Sequence, residues 1–130
     1  MFTINQIKEA HSKVKSGADF PKYIQDLIQL GVEDYTAYVS DGHTAYLGQD
    51  NYQTQSDARY DVLEIAEASN PEQFMQYLKN HQQGQSDYLT FCKQSAETGI
   101  EKWVVNTKEM TCTYYDKANN KILVETIPQV

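Results

Sequence analysis

Apolar positions recur at helical spacing near the N-terminus, where Ile4, Ile7, Ala10, His11 and Val14 share one face. Thr3 and Gln6 precede this run at the spacing of a capping box, in which the threonine accepts an orphan amide and the glutamine reaches back. Gly17 can take the left-handed conformation that ends such a helix. Asp19 then predicts a second helix, as its cap, with Pro21 in a first turn where no amide partner is lost. Its stripe is Phe20, Ile24, Leu27 and Ile28, and Gly31 ends it. The period next falls to two: Tyr35, Ala37 and Val39 alternate with Thr36 and Tyr38. Asp41-Gly42 is a hairpin signal, because a two-residue turn of this kind needs positive φ at both positions. That turn sets Val39 opposite Thr44 and Ala37 opposite Tyr46, with a return strand from His43 to Leu47. Residues 48–57 are polar and read as loop. Arg59 to Ala66 carries Tyr60, Val62, Leu63 and Ile65, and reads as a further strand or a buried connector.

The order then repeats. Asn70-Pro71 starts a third helix with Phe74, Tyr77, Leu78 and His81 on one face, ending at Gly84. A fourth starts near Ser86, carries Tyr88, Phe91, Cys92 and Ala96, and ends at Gly99. Strands follow at residues 102–106, 110–115 and 121–127. The text agrees locally as well: Gly31-Val32-Glu33-Asp34-Tyr35 aligns with Gly99-Ile100-Glu101-Lys102-Trp103. The predicted fold is α+β in one domain. It has two tandem helix-helix-strand-strand units, about 3–50 and 70–128, sharing an antiparallel sheet packed with helices and related by a pseudo-twofold duplication. A cleft is expected where the halves meet.

Both sheet faces carry apolar residues: Tyr35, Ala37, Val39 and Tyr46 on one, Tyr38, Ala45 and Leu47 on the other. A sheet with one wet face alternates more cleanly. The second face is therefore expected to be covered, by helices, a second subunit or a ligand.

Charge removes several functions. Eighteen acidic against eleven basic residues give a net charge of −7 in 130 residues. Nucleic-acid binders need bases to neutralise phosphate, and Arg59 is the single arginine. Neither nucleic acid nor an anionic membrane surface is an expected partner. Lys8, Lys13, Lys15 and Lys22 cluster, but Glu9 and Asp26 lie among them, as on a solvated helix face. No run of about 20 apolar residues could span a bilayer, and Met1 to Gln6 shows no signal-peptide pattern. Cys92 and Cys112 are too far apart for a CxxC motif and read as free thiols in a reducing cytoplasm. Neither a metal nor a cofactor is expected.

Ten tyrosines and one tryptophan supply broad contact area with polar tips. Tyr35, Tyr46, Trp103 and Tyr114 are the first candidates for a ligand or interface. Asp19, His11, His81 and Cys92 form a second set. A histidine on an apolar helix face is more often a packed core residue, and a helix-face cysteine a small hydrophobe. No GxSxG, HExxH, P-loop or GxGxxG motif occurs.

Ser16-Gly17-Ala18-Asp19-Phe20-Pro21, the Asp41-Gly42 hairpin, Gln82-Gln83-Gly84, Phe91-Cys92 and Trp103-Val104-Val105 occur in that order. Thr111-Cys112-Thr113-Tyr114-Tyr115-Asp116 and Glu125-Thr126-Ile127-Pro128 follow. Together they resemble the YbcV-like family of small bacterial proteins, over about residues 2–128. The resemblance implies a single-domain α+β protein of unknown function, in a family often labelled phage envelope protein and partly found in prophage regions. It supplies no catalytic residue. The family more often has aspartate after the Trp-Val-Val run, where this chain has Asn106.

The reading from sequence is a cytoplasmic, non-enzymatic binding or interaction module whose partner is itself, as a homodimer, or another protein. The alternative is a small enzyme with its site between the two halves.

Overall fold

The computed structural model describes residues 2–14 and 19–128. Each half begins with two helices: α1 (Ile4–His11) and α2 (Phe20–Leu30) in the first, α3 (Pro71–Gln82) and α4 (Tyr88–Glu97) in the second. Three strands follow each pair: β1 (Val32–Tyr38), β2 (Thr44–Gly48) and β3 (Gln53–Gln55), then β4 (Ile100–Asn106), β5 (Thr111–Asp116) and β6 (Lys121–Thr126). All six strands form one antiparallel sheet in the order β3-β2-β1-β4-β5-β6. The fold is α+β.

Local chemistry explains most boundaries. Thr3 and Gln6 make the capping box of α1 in both directions. Asn70 caps α3 by accepting from the Gln73 amide, and Asp87 caps α4 by accepting from Thr90. Asp19 occupies the N-cap position of α2 but makes no capping hydrogen bond with its side chain. Its backbone is already helical (φ −88°, ψ −6°), whereas a capping side chain is normally aimed at the amides from an extended backbone. α1 ends at His11, short of the expected Val14; Gly17 lies outside the described residues. Residues 59–66 form a connector rather than a strand. Among the described residues, no helix is long and apolar enough to cross a membrane.

The first hairpin departs from the two-residue turn. Ala37 pairs with Thr44 and Tyr35 with Tyr46, two residues out of the expected register. The loop spans four residues, closed by Tyr38 N–H donating to the His43 carbonyl. Competing partners account for the change. The Val39 amide donates across to Glu101 of β4, and the Asp41 carbonyl accepts from the Arg59 and Tyr60 amides. A two-residue shift keeps every side chain on its expected face, as a one-residue shift would not.

β3 was not expected. It is a short edge strand with Gln53 and Gln55 exposed, so it lacks the apolar alternation that marks a half-buried strand. Each half is thus α-α-β-β-β. The pairing Tyr35–Tyr46 recurs as Trp103–Tyr114, and Thr36–Ala45 as Val104–Thr113, every residue 68 positions on. β1 and β4 break register at the same place, after Val32 and Ile100, and share one burial pattern. Their mutual pairing centres on Thr36 opposite Val104, two positions that are themselves 68 apart.

The core lies on one face of the sheet. Tyr35, Ala37, Val39, Tyr46, Trp103, Val105, Cys112 and Tyr114 meet Ile24, Leu27, Phe74 and Phe91 of the helices, all buried. The opposite face, expected to be covered, carries half-buried Thr36, Ala45, Val104 and Thr113, with Val124 53% exposed. None of the four helices packs there. Short and β-branched side chains shield each other on a pleated surface, so this face tolerates water despite its apolar content.

Candidate functional site

A cleft of about 510 Å³ opens between α1 and the segment that leaves β3. α1 and its C-cap contribute Ile4, Ile7, Lys8, His11 and Ser12; the opposite wall is Ser56, Asp57, Ala58 and Arg59; Tyr46 of β2 also lines it. Backbone bonding fixes the far wall. The Ser56 amide donates to the Thr44 carbonyl, and Ser56 Oγ accepts from the Thr44 amide at 2.9 Å. The chain then bends off the sheet, and the Arg59 and Tyr60 amides hold it to Asp41 at 2.8 and 3.4 Å. Helical spacing on α1 accounts for the near wall: Ile4, Lys8 and His11 fall on one stripe.

Below the cleft lies a set of aromatic and hydroxyl groups drawn from both halves. The His11 ring meets Tyr23 edge-on at 5.3 Å between centroids and Tyr88 at 6.5 Å. Arg59 sets its guanidinium 5.8 Å from the centre of the Tyr88 ring, a cation–π contact. Tyr60 donates to the Val39 carbonyl at 2.6 Å. Burial pushes the Tyr23, Tyr46, Tyr60 and Tyr88 phenols above their ordinary range. Burial, reinforced by the charge of Arg59, holds His11 below its ordinary value. Its imidazole is therefore biased toward the neutral form, able to accept a proton on one nitrogen.

The candidate residues separate. Tyr35, Tyr46, Trp103 and Tyr114 all lie in the core beneath the helices. Trp103 is enclosed by Phe91, Tyr114 and Tyr88 at 5.6, 5.9 and 6.4 Å. Of the four, only Tyr46 lines the cleft, with His11 from the second set. His81 is in the other half, stacked on Phe91 at 4.5 Å with Nδ1 3.1 Å from the Ser86 carbonyl. Cys92 is buried beside Tyr60 and Tyr88. Burial raises its thiol, against the lowering effect of those hydroxyls, so it is not an activated thiolate. Asp19 is not among the cleft residues.

Lys8, Ser56 and Arg59 were not expected here. Lys8 looks in sequence like any solvated lysine. Arg59 stands out only as the single arginine, and its separation from His11 hides their convergence. Asn106 has a local role: its Oδ1 accepts from the Lys108 and Glu109 amides at 2.9 and 3.0 Å, closing the turn between β4 and β5. An aspartate could accept the same two bonds.

No curated protein matches the chain. Over residues 8–126 it matches DUF1398, described as a protein of unknown function, and with nearly its whole length covered the chain belongs to that family.

Proposed function

We propose that this protein is a non-enzymatic binding module whose cleft between α1 and residues 56–59 takes a small anionic molecule. The observation that carries the reading is the convergence of the cationic Lys8 and Arg59, beside a neutral His11, on one concavity of a protein with net charge −7. An acidic surface repels anions at long range, so a local cationic wall is where one could be held. Ile4, Ile7 and Ala58 add apolar area for the body of such a ligand. The buried thiols support a reducing, cytoplasmic setting. The motif order supports a narrower kinship with YbcV-like proteins and, through it, phage association.

The test is an NMR titration of isotope-labelled protein with acetate, inorganic phosphate and sulfate. At least one anion is expected to give saturable shifts at residues 7–12 and 56–59 that vanish in Arg59→Gln. Shifts scattered over the surface, or unchanged in that variant, refute the reading.

A second reading, a small enzyme, is favoured by one observation: a half-buried histidine with a lowered proton affinity faces the cleft. Turnover of a bound ligand that is abolished by His11→Gln while binding persists would replace the first reading with this one.

A further inference from the structure

The two halves hold equivalent tyrosines in different surroundings. Tyr46 and Tyr114 lie 68 positions apart, pair with Tyr35 and Trp103 in the same register, and are both buried under the helices. In the C-terminal half the Tyr114 hydroxyl donates to Glu125 Oε1 at 3.1 Å. Gln82 Nε2 lies 3.1 Å from each oxygen of the same carboxylate. Glu125 sits on β6 opposite Cys112.

Thr44 is the N-terminal equivalent of Cys112, and the residue bonded opposite it is Ser56. The position that carries a carboxylate in one half thus carries a short hydroxyl in the other. That hydroxyl accepts from the Thr44 amide and does not replace the acid. Tyr46, 3% exposed, and Ser56 both line the cleft. Tyr46 also interacts with the hydroxyls of Tyr23 and Thr44.

We infer that the ligand of this cleft carries a carboxylate, which takes beside Tyr46 the place that Glu125 takes beside Tyr114. The inference rests on the anion-cleft reading and narrows it to one ligand chemistry. Lys8 and Arg59 outnumber Asp57 on the cleft wall and neutralise one negative charge. A phosphate dianion fits less well. α1 presents its C-terminal end here, at His11 and Ser12, where the helix dipole is negative and disfavours extra anionic charge. The apolar stripe of Ile4 and Ile7 calls for a carboxylate on an apolar body, for which benzoate is a suitable probe.

Calorimetric titration with benzoate, benzamide and inorganic phosphate tests this on the full chain and on Tyr46→Phe, Arg59→Gln and Ser56→Glu, with circular dichroism to verify folding. Benzoate is expected to bind at least about tenfold more tightly than either other probe, and Tyr46→Phe and Arg59→Gln each to weaken it about tenfold, the worth of one charge-assisted hydrogen bond. Ser56→Glu places a carboxylate where the other half has one and is expected to abolish benzoate binding. If that variant does not fold, Arg59→Gln, at an exposed position, carries the test. Phosphate binding as tightly as benzoate, with the same dependence on Arg59, overturns the carboxylate assignment and leaves the anion cleft standing. Benzamide binding as tightly as benzoate, or no binding by any probe, overturns both. Full benzoate affinity in Tyr46→Phe removes Tyr46 as the donor and with it the inference.

Discussion

Gly84 and Gly99 share one backbone conformation and differ in what surrounds them. Their φ angles are +80° and +83°. A Cβ added at Gly84 meets nothing within 4 Å. A Cβ added at Gly99 would stand 2.7 Å from Ser69 Cα and 2.8 Å from the Ala68 carbonyl oxygen, both backbone atoms. Alanine in the left-handed region costs about 1–2 kcal/mol, and the reduced freedom of the unfolded chain returns about 0.4–1 kcal/mol, so Gly84→Ala is expected to destabilise by about 1 kcal/mol. Gly99→Ala carries that cost and also displaces the stretch from Ala66 to Asn70, which is tied to α4 and its cap by Ala66 N–H to Ala96 O and Asn70 N–H to Thr98 O, each 2.9 Å. Overpacking of this kind costs about 1–3 kcal/mol, so the expected total is about 2–4 kcal/mol. Urea unfolding reads the difference. With a slope of about 2 kcal/mol per molar, the midpoint falls by about 0.5 M for Gly84→Ala and by about 1–2 M for Gly99→Ala. Equal shifts in the two variants would refute the argument, since only the close backbone approach separates them.

Two further outcomes follow from local chemistry. His11 is held below its ordinary 6.5 by burial and then by Arg59, so the unfolded chain takes up its proton at a higher pH than the folded one. The resulting stability is present above the unfolded value and is lost as pH falls through the lowered folded one, with His81, lowered by burial, acting in the same direction. An NMR titration should place the His11 midpoint below 6.5, and Arg59→Gln should raise it; an unmoved midpoint rejects the contact with Arg59. Asn106→Ala should cost about 1 kcal/mol through loss of the turn's acceptor, whereas Asn106→Asp should preserve stability. Equal thermal destabilisation of both variants would show that Oδ1 is not the group that matters.

The helices and the faces of the strands were legible because their causes are local. Thr3 with Gln6, and Asn70, can satisfy orphan amides wherever the rest of the chain goes, Pro71 has no amide to satisfy, and Gly31 and Gly99 supply the positive φ that ends each unit's second helix. A period of two places Tyr35 and Ala37 on one face whatever their partners. What the sequence could not decide was which distant group wins a backbone hydrogen bond. Glu101 takes the Val39 amide and the connector takes the Asp41 carbonyl, so the first hairpin has a four-residue loop. β3 forms from polar residues because Tyr46 and its neighbours offer an edge, not because Gln53 to Gln55 prefer a strand. The cleft depends on the same kind of competition. Lys8 and His11 share a helix face by their spacing, but only the path of the chain after β3 brings Arg59 opposite them and sets Ser56 where the other half has Glu125. Local period and backbone conformation are properties of a few consecutive residues; convergence across the fold is a property of the packed chain.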